Sequence, residues 1–192
     1  QLAVVEGKLD ALCAREPVIL RLSTTPGVGR VVSAVFVSVI DDAHRFSGAH
    51  QVESYLGLVP GEDSSGGRRR IGAITKHGNS YARAMLVEAA WCVMRLRDDS
   101  DPLKRWAEAI AARRGKRIAV VALARRLAGV MWAMWRDGTV YEPARLGRRM
   151  AGGLEREAQG LDVRAAALRR AASKVARHMS AARAAKEEPS IQ

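Results

Sequence analysis

The run Ile19-Leu20-Arg21-Leu22-Ser23-Thr24-Thr25-Pro26-Gly27-Val28-Gly29-Arg30-Val31-Val32-Ser33-Ala34-Val35 joins two apolar stretches through a Pro-Gly-Val-Gly turn. Leu20 and Leu22 close one short helix. Beyond the turn, Val32, Val35, Phe36, Val39 and Ile40 fall at i, i+3, i+4 spacing, although so β-branched a run also tolerates a strand. The tight turn, with small Ala34 placed for a helix crossing, decides for helix. Gly27 and Gly29 are expected to take backbone angles closed to other residues. Successive N–H groups at the start of the second helix would then converge on a phosphate, with Arg30 adding charge. The same four residues also serve as a plain interhelical turn packed on a core.

This spacing resembles the helix-hairpin-helix motif, which grips nucleic-acid backbones without reading their sequence. Working outward, Ser47 to Leu56 reads as a short helix, with Ser47 at its N-cap, Val52, Tyr55 and Leu56 inward, and Gly57 as its stop. Val59 to Asn79, rich in Gly, Ser and charge, reads as a long loop or short hairpin. Asn79 or Ser80 caps a helix whose inner face is Ala82, Met85, Leu86, Ala89, Val93 and Leu96. A last core helix runs from about Ile118 to Trp135 and ends at Gly138. Before it, Arg113, Arg114, Lys116 and Arg117 read as a basic loop suited to a second backbone contact.

Both ends carry heptad-like stripes. Leu2, Val5, Leu9 and Leu12 are spaced 3, 4, 3 before Pro17. Leu161, Ala165, Leu168, Ala172, Val175, Met179 and Ala182 alternate 4 and 3. Such seams want a partner helix, either within the chain or in a second copy. The expected architecture is mostly α: a helix-hairpin-helix-containing helical domain over 17–143, a coiled-coil-like arm over 1–16 and a basic helical tail over 144–192. The first residue is not Met and the first stripe opens in mid-stride, which suggests a start inside a longer protein.

Composition agrees. In 192 residues, 32 Lys+Arg against 20 Asp+Glu give a net charge of +12 and a pI near 10.8. That excess points to a polyanionic partner. Residues 144–192 hold eleven basic residues against five acidic, half the excess. Hydrophobic residues make up 48 % but aromatics only 5 %, so the core is built from Ala, Val and Leu, which suits close-packed helices and excludes wholesale disorder. Two cysteines, Cys13 and Cys92, are too few for a zinc cluster or disulfide framework and read as small buried or half-buried residues of a reducing compartment. No signal-peptide layout or run of ~18 consecutive apolar residues occurs, so a soluble, non-exported protein with no membrane partner is expected. Trp91, Trp106, Trp132 and Trp135 lie in helical contexts and read as core or interface.

Chemistry concentrates in Ser64-Ser65-Gly66-Gly67-Arg68-Arg69-Arg70. Serine beside two glycines and three arginines has an adaptable backbone and a strong positive potential, which attracts a phosphodiester and stabilises charge developing on it. No base is evident from spacing, His77 being the nearest histidine. Composition alone favours a phosphate-binding loop.

The ordered blocks extend this. They are Pro-Gly-Val-Gly at 26–29, Arg45-Phe46, Tyr55-Leu56-Gly57-Leu58-Val59-Pro60, Ser64-Ser65-Gly66-Gly67 with Arg70, Gly72-Ala73-Ile74-Thr75-Lys76-His77-Gly78-Asn79, and Trp132-Ala133-Met134-Trp135-Arg136-Asp137-Gly138. In this order they resemble the C-terminal transposase domain of the insertion sequence 110 family, and similarly its DNA-invertase relatives, over about Leu20 to Pro143. The resemblance implies a DNA transposase or site-specific recombinase with a serine nucleophile that forms a phosphoserine link to DNA. That serine is Ser65, with Ser64 the runner-up. Arg68 and Arg70 would hold the scissile phosphate, while Thr75, Lys76 and Asn79, with Gly27, Gly29 and Arg30, would line the nucleic-acid path.

The resemblance further implies a structured bridge RNA as guide, a homo-oligomer formed through the helical arms, and a bacterial cytoplasmic, nucleoid-associated location. It implies no cofactor in this chain. Mg²⁺ is expected in an N-terminal RuvC-like domain whose four acidic residues are not matched here. Without that domain the chain is expected to bind nucleic acid but not cut it. Asp41-Asp42 and Asp98-Asp99-Asp101 read as solvated or helix-capping carboxylates. The rival reading is a non-catalytic helix-hairpin-helix binding module.

Overall fold

The computed structural model describes residues 2–65, 68–148, 168–170 and 173; for 2–3, 5 and 62–71 only the backbone path is described. The heptad stripe of 161–182 and the glycines Gly66 and Gly67 therefore lie outside the described residues, apart from 168–170 and 173. The chain divides into two compact units, 1–143 and 144–192. The architecture is mostly α.

In the first unit seven helices run in the order α1 (Leu2–Arg15), α2 (Pro17–Leu22), α3 (Arg30–Ile40), α4 (Ala49–Tyr55), α5 (Ser80–Met94), α6 (Pro102–Arg114) and α7 (Lys116–Asp137). A two-stranded antiparallel hairpin, β1 (Pro60–Ser65) and β2 (Arg68–Ile74), separates α4 from α5. Apolar spacing explains why α7 is central. Val120, Leu123, Leu127 and Met131 are buried together with Ala119, Ala124, Ala128 and Gly129. These small residues let neighbouring backbones come close, and α2, α4, α5 and α6 all pack on α7. Each fully buried Leu contributes about 1.5–3 kcal/mol through removal from water. By length and composition α7 could cross a membrane, yet half of that apolar window is buried inside the protein, as in a core helix. Gly138 ends it in the left-handed region.

Several expectations are corrected. α4 is capped by Gly48, not Ser47, whose N–H instead binds the Gln51 side chain at 2.8 Å. Val52 and Leu56 are fully buried, but Tyr55 is 42 % exposed and points away from the core. Residues 113–117 are not a loop: Arg113 and Arg114 end α6, Gly115 alone breaks the chain at φ +86°, and Lys116 begins α7. The α6 helix itself was not foreseen. Asp101 caps it, accepting from Leu103 N at 2.9 Å and Lys104 N at 3.4 Å, and Pro102 opens its first turn. On α1 the buried residue among those whose burial is described is Cys13, while Leu12 of the stripe is 43 % exposed. Cys92 is exposed. Trp132 is buried and donates to Ala43 O at 2.8 Å; the other three tryptophans are half-buried.

Candidate functional site

The hairpin that carries the Ser-Arg strip is held at its root by the helical body. After α4 the chain turns at Gly57, φ +67°, and returns past itself at Gly78, φ +79°. The two segments run so close that a Cβ on Gly57 would lie 2.0 Å from His77 O, and one on Gly78 would lie 2.0 Å from Tyr55 O. Glycine is required at both positions by conformation and by space. Thr75 N donates to Val59 O at 2.9 Å and Lys76 N to Gly57 O at 3.1 Å, continuing the pairing into the body. Arg83, one turn into α5, donates from Nη1 to Leu56 O at 3.2 Å and to His77 O at 3.1 Å, clamping both legs. Asn79 caps α5 by accepting from Ala82 N at 2.9 Å. Nothing in the spacing of the sequence singles out Arg83.

Along the hairpin the register pairs Pro60 with Ile74, Glu62 with Ile71, Asp63 with Arg70, Ser64 with Arg69 and Ser65 with Arg68. Ser65 is the last residue of β1 and Arg68 the first of β2. The backbone thus sets the candidate nucleophile and the candidate phosphate-holding arginine opposite each other at the far end, and Arg70 two pairs nearer the root. A register irregularity lies between Pro60 and Glu62. At the root Thr75 is half-buried, while Lys76 and Asn79 are exposed, Lys76 with an unusual φ of +58°.

The Pro26–Gly29 turn lies elsewhere. Gly27 has φ +73°, and a Cβ there would sit 2.5 Å from Ala89 O and 2.8 Å from Val93 on α5. Its lack of a side chain serves packing on α5. At 1.5 Å rise per residue, that contact lies ~15–20 Å along α5 from Asn79, so Gly27, Gly29 and Arg30 are not gathered with the hairpin root. Gly29 departs from expectation, being an extended N-cap at φ −87° and ψ 177°. No side chain caps α3. Its start faces a groove of about 430 Å³ lined by Glu6, Leu9, Asp10, Gly29, Arg30, Val31 and Val32. Arg30 is ion-paired with Asp10 of α1. Two carboxylates at this helix start oppose an anion there.

Beside the hairpin root lies an aromatic pair, Phe46 and Tyr55, with ring centroids 5.4 Å apart and planes at 61°. The Arg45 guanidinium stands 5.6 Å and 5.8 Å from the two ring centres. Arginine–tryptophan stacks recur as Arg126 on Trp106 and Arg136 on Trp132, both at 4.5 Å. Burial lowers the pKa of Arg126 despite the nearby Glu53 carboxylate. Tyr141 donates from its hydroxyl to Asp101 Oδ2 at 2.8 Å, and its N–H binds Thr24 Oγ1 at 3.0 Å. Burial, then that hydrogen bond, push the Tyr141 phenol far above its usual value. Lys104 is buried, bonded to Leu96 O at 2.6 Å and paired with Asp99, which raises its pKa. Asp42 caps a short turn by accepting from His44 N. Among the described residues no group of three or more His, Cys, Asp or Glu is placed to hold a metal ion. The donors among these residues do not make a set for Mg²⁺.

The chain is thus a basic, mostly helical body carrying an arginine-rich hairpin whose strands face each other at Ser65 and Arg68. Comparison with known proteins points to a particular family. Residues 20–105, which include the whole hairpin and its root, match the model described as Transposase IS116/IS110/IS902 family. It is 32 % identical over 144 residues to a probable family 20 transposase of Pseudomonas aeruginosa, covering 74 % of this chain and 43 % of that protein. It is 32 % identical over 130 residues to the transposase for insertion sequence element IS1111A of Coxiella burnetii, covering 67 % and 36 %. Against the insertion element IS110 43.6 kDa protein of Streptomyces coelicolor, identity is 34 % over 158 residues, covering 81 % and 36 %. The chain spans less than half the length of these curated relatives.

Proposed function

We propose that this chain is the C-terminal, serine-bearing portion of a DNA transposase or recombinase, with Ser65 as the DNA nucleophile. The observation that carries this is the placement of Ser65 opposite Arg68 at the far end of a hairpin whose root is clamped to the helical body. The match of residues 20–105 to the transposase family supports the same reading.

In the reaction, Ser65 Oγ attacks a phosphodiester. An Oγ–P bond forms and the P–O3′ bond breaks. The proton lost by the serine ends on the departing 3′ oxygen, and the phosphoserine ester conserves the bond energy. A 3′-hydroxyl of an exchanged strand then attacks that ester in reverse. Arg68 and Arg70 neutralise charge on the phosphoryl oxygens as the attack proceeds. Arg83, Gly57 and Gly78 hold the hairpin so that this charge stays aligned. Thr75, Lys76 and Asn79 at the root contact the nucleic-acid backbone.

The wider parts of the proposal are a structured guide RNA that supplies sequence by base pairing, an oligomer formed through the helical arms, action on DNA in the bacterial cytoplasm, and Mg²⁺ held by a separate acidic domain. A helix-hairpin-helix grip at 26–30 has less support, because Glu6 and Asp10 line the start of α3 and Gly27 packs on α5. The test is strand exchange by the full-length transposase. Ser65→Ala is expected to abolish recombined product while retaining salt-dependent DNA binding; recombined product from Ser65→Ala would refute the proposal.

A further inference from the structure

We propose that Tyr55, with Arg45 and Phe46, forms a stacking platform for an unpaired DNA base at the root of the hairpin. The inference rests on the nucleic-acid-handling function above and adds to it a specific contact.

Tyr55 ends α4, where Val52 within the helix and Leu56 just after it are fully buried. The ring is 42 % exposed, so it contributes little to the core. It is nevertheless held in place. Phe46 meets it edge to face at 5.4 Å, and the Arg45 guanidinium stands over both rings. Arg45 is itself oriented by a 3.0 Å hydrogen bond from Nη1 to Ile40 O. Its only carboxylate neighbour among the described residues, Asp41, is 3.9 Å away and 83 % exposed, a pairing too weak to neutralise it. The guanidinium, with its side chain 46 % exposed, and the open part of Tyr55 make one preformed cationic π surface.

A base face is what such a surface fits. Planar aromatics stack on tyrosine and on arginine, and a rigid, pre-oriented pair loses little entropy in doing so. A base inside a duplex has both faces covered by its neighbours, so the platform selects a strand that has been opened. Location supports this occupant: Tyr55 O lies against Gly78, and exposed Lys76 stands two residues before that crossing, ready to meet the backbone of the same strand. DNA rather than RNA is the committed occupant, because the hairpin beside the platform carries the proposed DNA nucleophile.

The test uses the 192-residue chain and fluorescein-labelled oligodeoxynucleotides of one sequence, single-stranded and duplex, with a single-stranded oligoribonucleotide of the same sequence, titrated at several salt concentrations. Tyr55→Leu, which keeps bulk without a π face, is expected to weaken single-strand binding roughly tenfold or more. Duplex affinity and the salt slope should stay as in the wild type, and Tyr55→Trp should bind single strands as the wild type does. A strand carrying 5-iododeoxyuridine, crosslinked to the wild-type chain by light and mapped by mass spectrometry, should join to Tyr55 or Phe46; this arm needs no variant to fold. Equal single-strand affinity in Tyr55→Leu, an equal loss for duplex, crosslinks elsewhere, or a Tyr55 dependence confined to RNA of the same sequence would each overturn the platform. If the wild-type chain binds single strand and duplex in a salt-dependent way but independently of Tyr55, the platform alone falls. No salt-dependent binding to either form would remove the nucleic-acid function beneath it as well.

Discussion

Glycine at two positions separates what a residue must do from what a motif suggests. Gly57 combines φ +67° with backbone atoms where a Cβ would stand, so Gly57→Ala should lose on the order of 3 kcal/mol from added strain and clash, read as a lower urea midpoint. Gly29→Ser should change stability by less than about 0.5 kcal/mol, since its extended backbone accepts any residue and serine is a good N-cap. The stop at Gly57 was legible because a helix pattern ends there. The conformation of Gly29 was not, because the Pro-Gly-Val-Gly string does not reveal which glycine takes the turn. Tyr141 gives a pH-dependent case. Its phenol titrates above the ordinary 10 in the folded chain, so its contribution is complete below pH 10 and is lost as pH rises beyond it. Tyr141→Phe should therefore be about 1–2 kcal/mol less stable than the wild type at pH 8, and the gap should narrow above pH 10, as urea unfolding across that range would reveal.

Among the elements, the hairpin depends on contacts distant in sequence. Arg83 reaches back to Leu56 O and forward in space to His77 O, so Arg83→Met should cost about 1–2 kcal/mol of stability. In the full-length transposase it should reduce strand exchange roughly 10- to 100-fold, because a small misplacement of a reacting group is expensive. Strand exchange at the wild-type rate in Arg83→Met would mean that the clamp does not position Ser65. Helices α3, α5 and α7 were legible from apolar spacing and from Asn79 and Gly138 at their ends. Helix α6 was not, although Asp101-Pro102 is a good start signal. Its sequence, Pro-Leu-Lys-Arg-Trp-Ala-Glu-Ala-Ile-Ala-Ala-Arg-Arg, buries few residues and carries many charges, so its periodicity is faint. Likewise Ser64 to Arg70 suggested phosphate chemistry but not its pairing, since runs of serine, glycine and arginine have little strand propensity.

For the molecule as a whole, the net charge of +12 indicated a polyanion, and the family match over 20–105 gives that polyanion a context. Charge alone does not rank its sites. Arg30 is engaged by Asp10, Arg125 by Glu53 and Lys104 by Asp99, so some of the basic residues serve the fold. The arginines of the hairpin, Arg68 to Arg70, are the basic residues that pair with the strand of the proposed nucleophile. That nucleophile is tested most directly by trapping the covalent protein–DNA intermediate of the full-length transposase, digesting both polymers and locating the linked residue by mass spectrometry. A nucleotide esterified to Ser65 is the predicted result. A nucleotide on Ser64 or any other residue, or strand exchange with no protein–DNA ester at all, would contradict it.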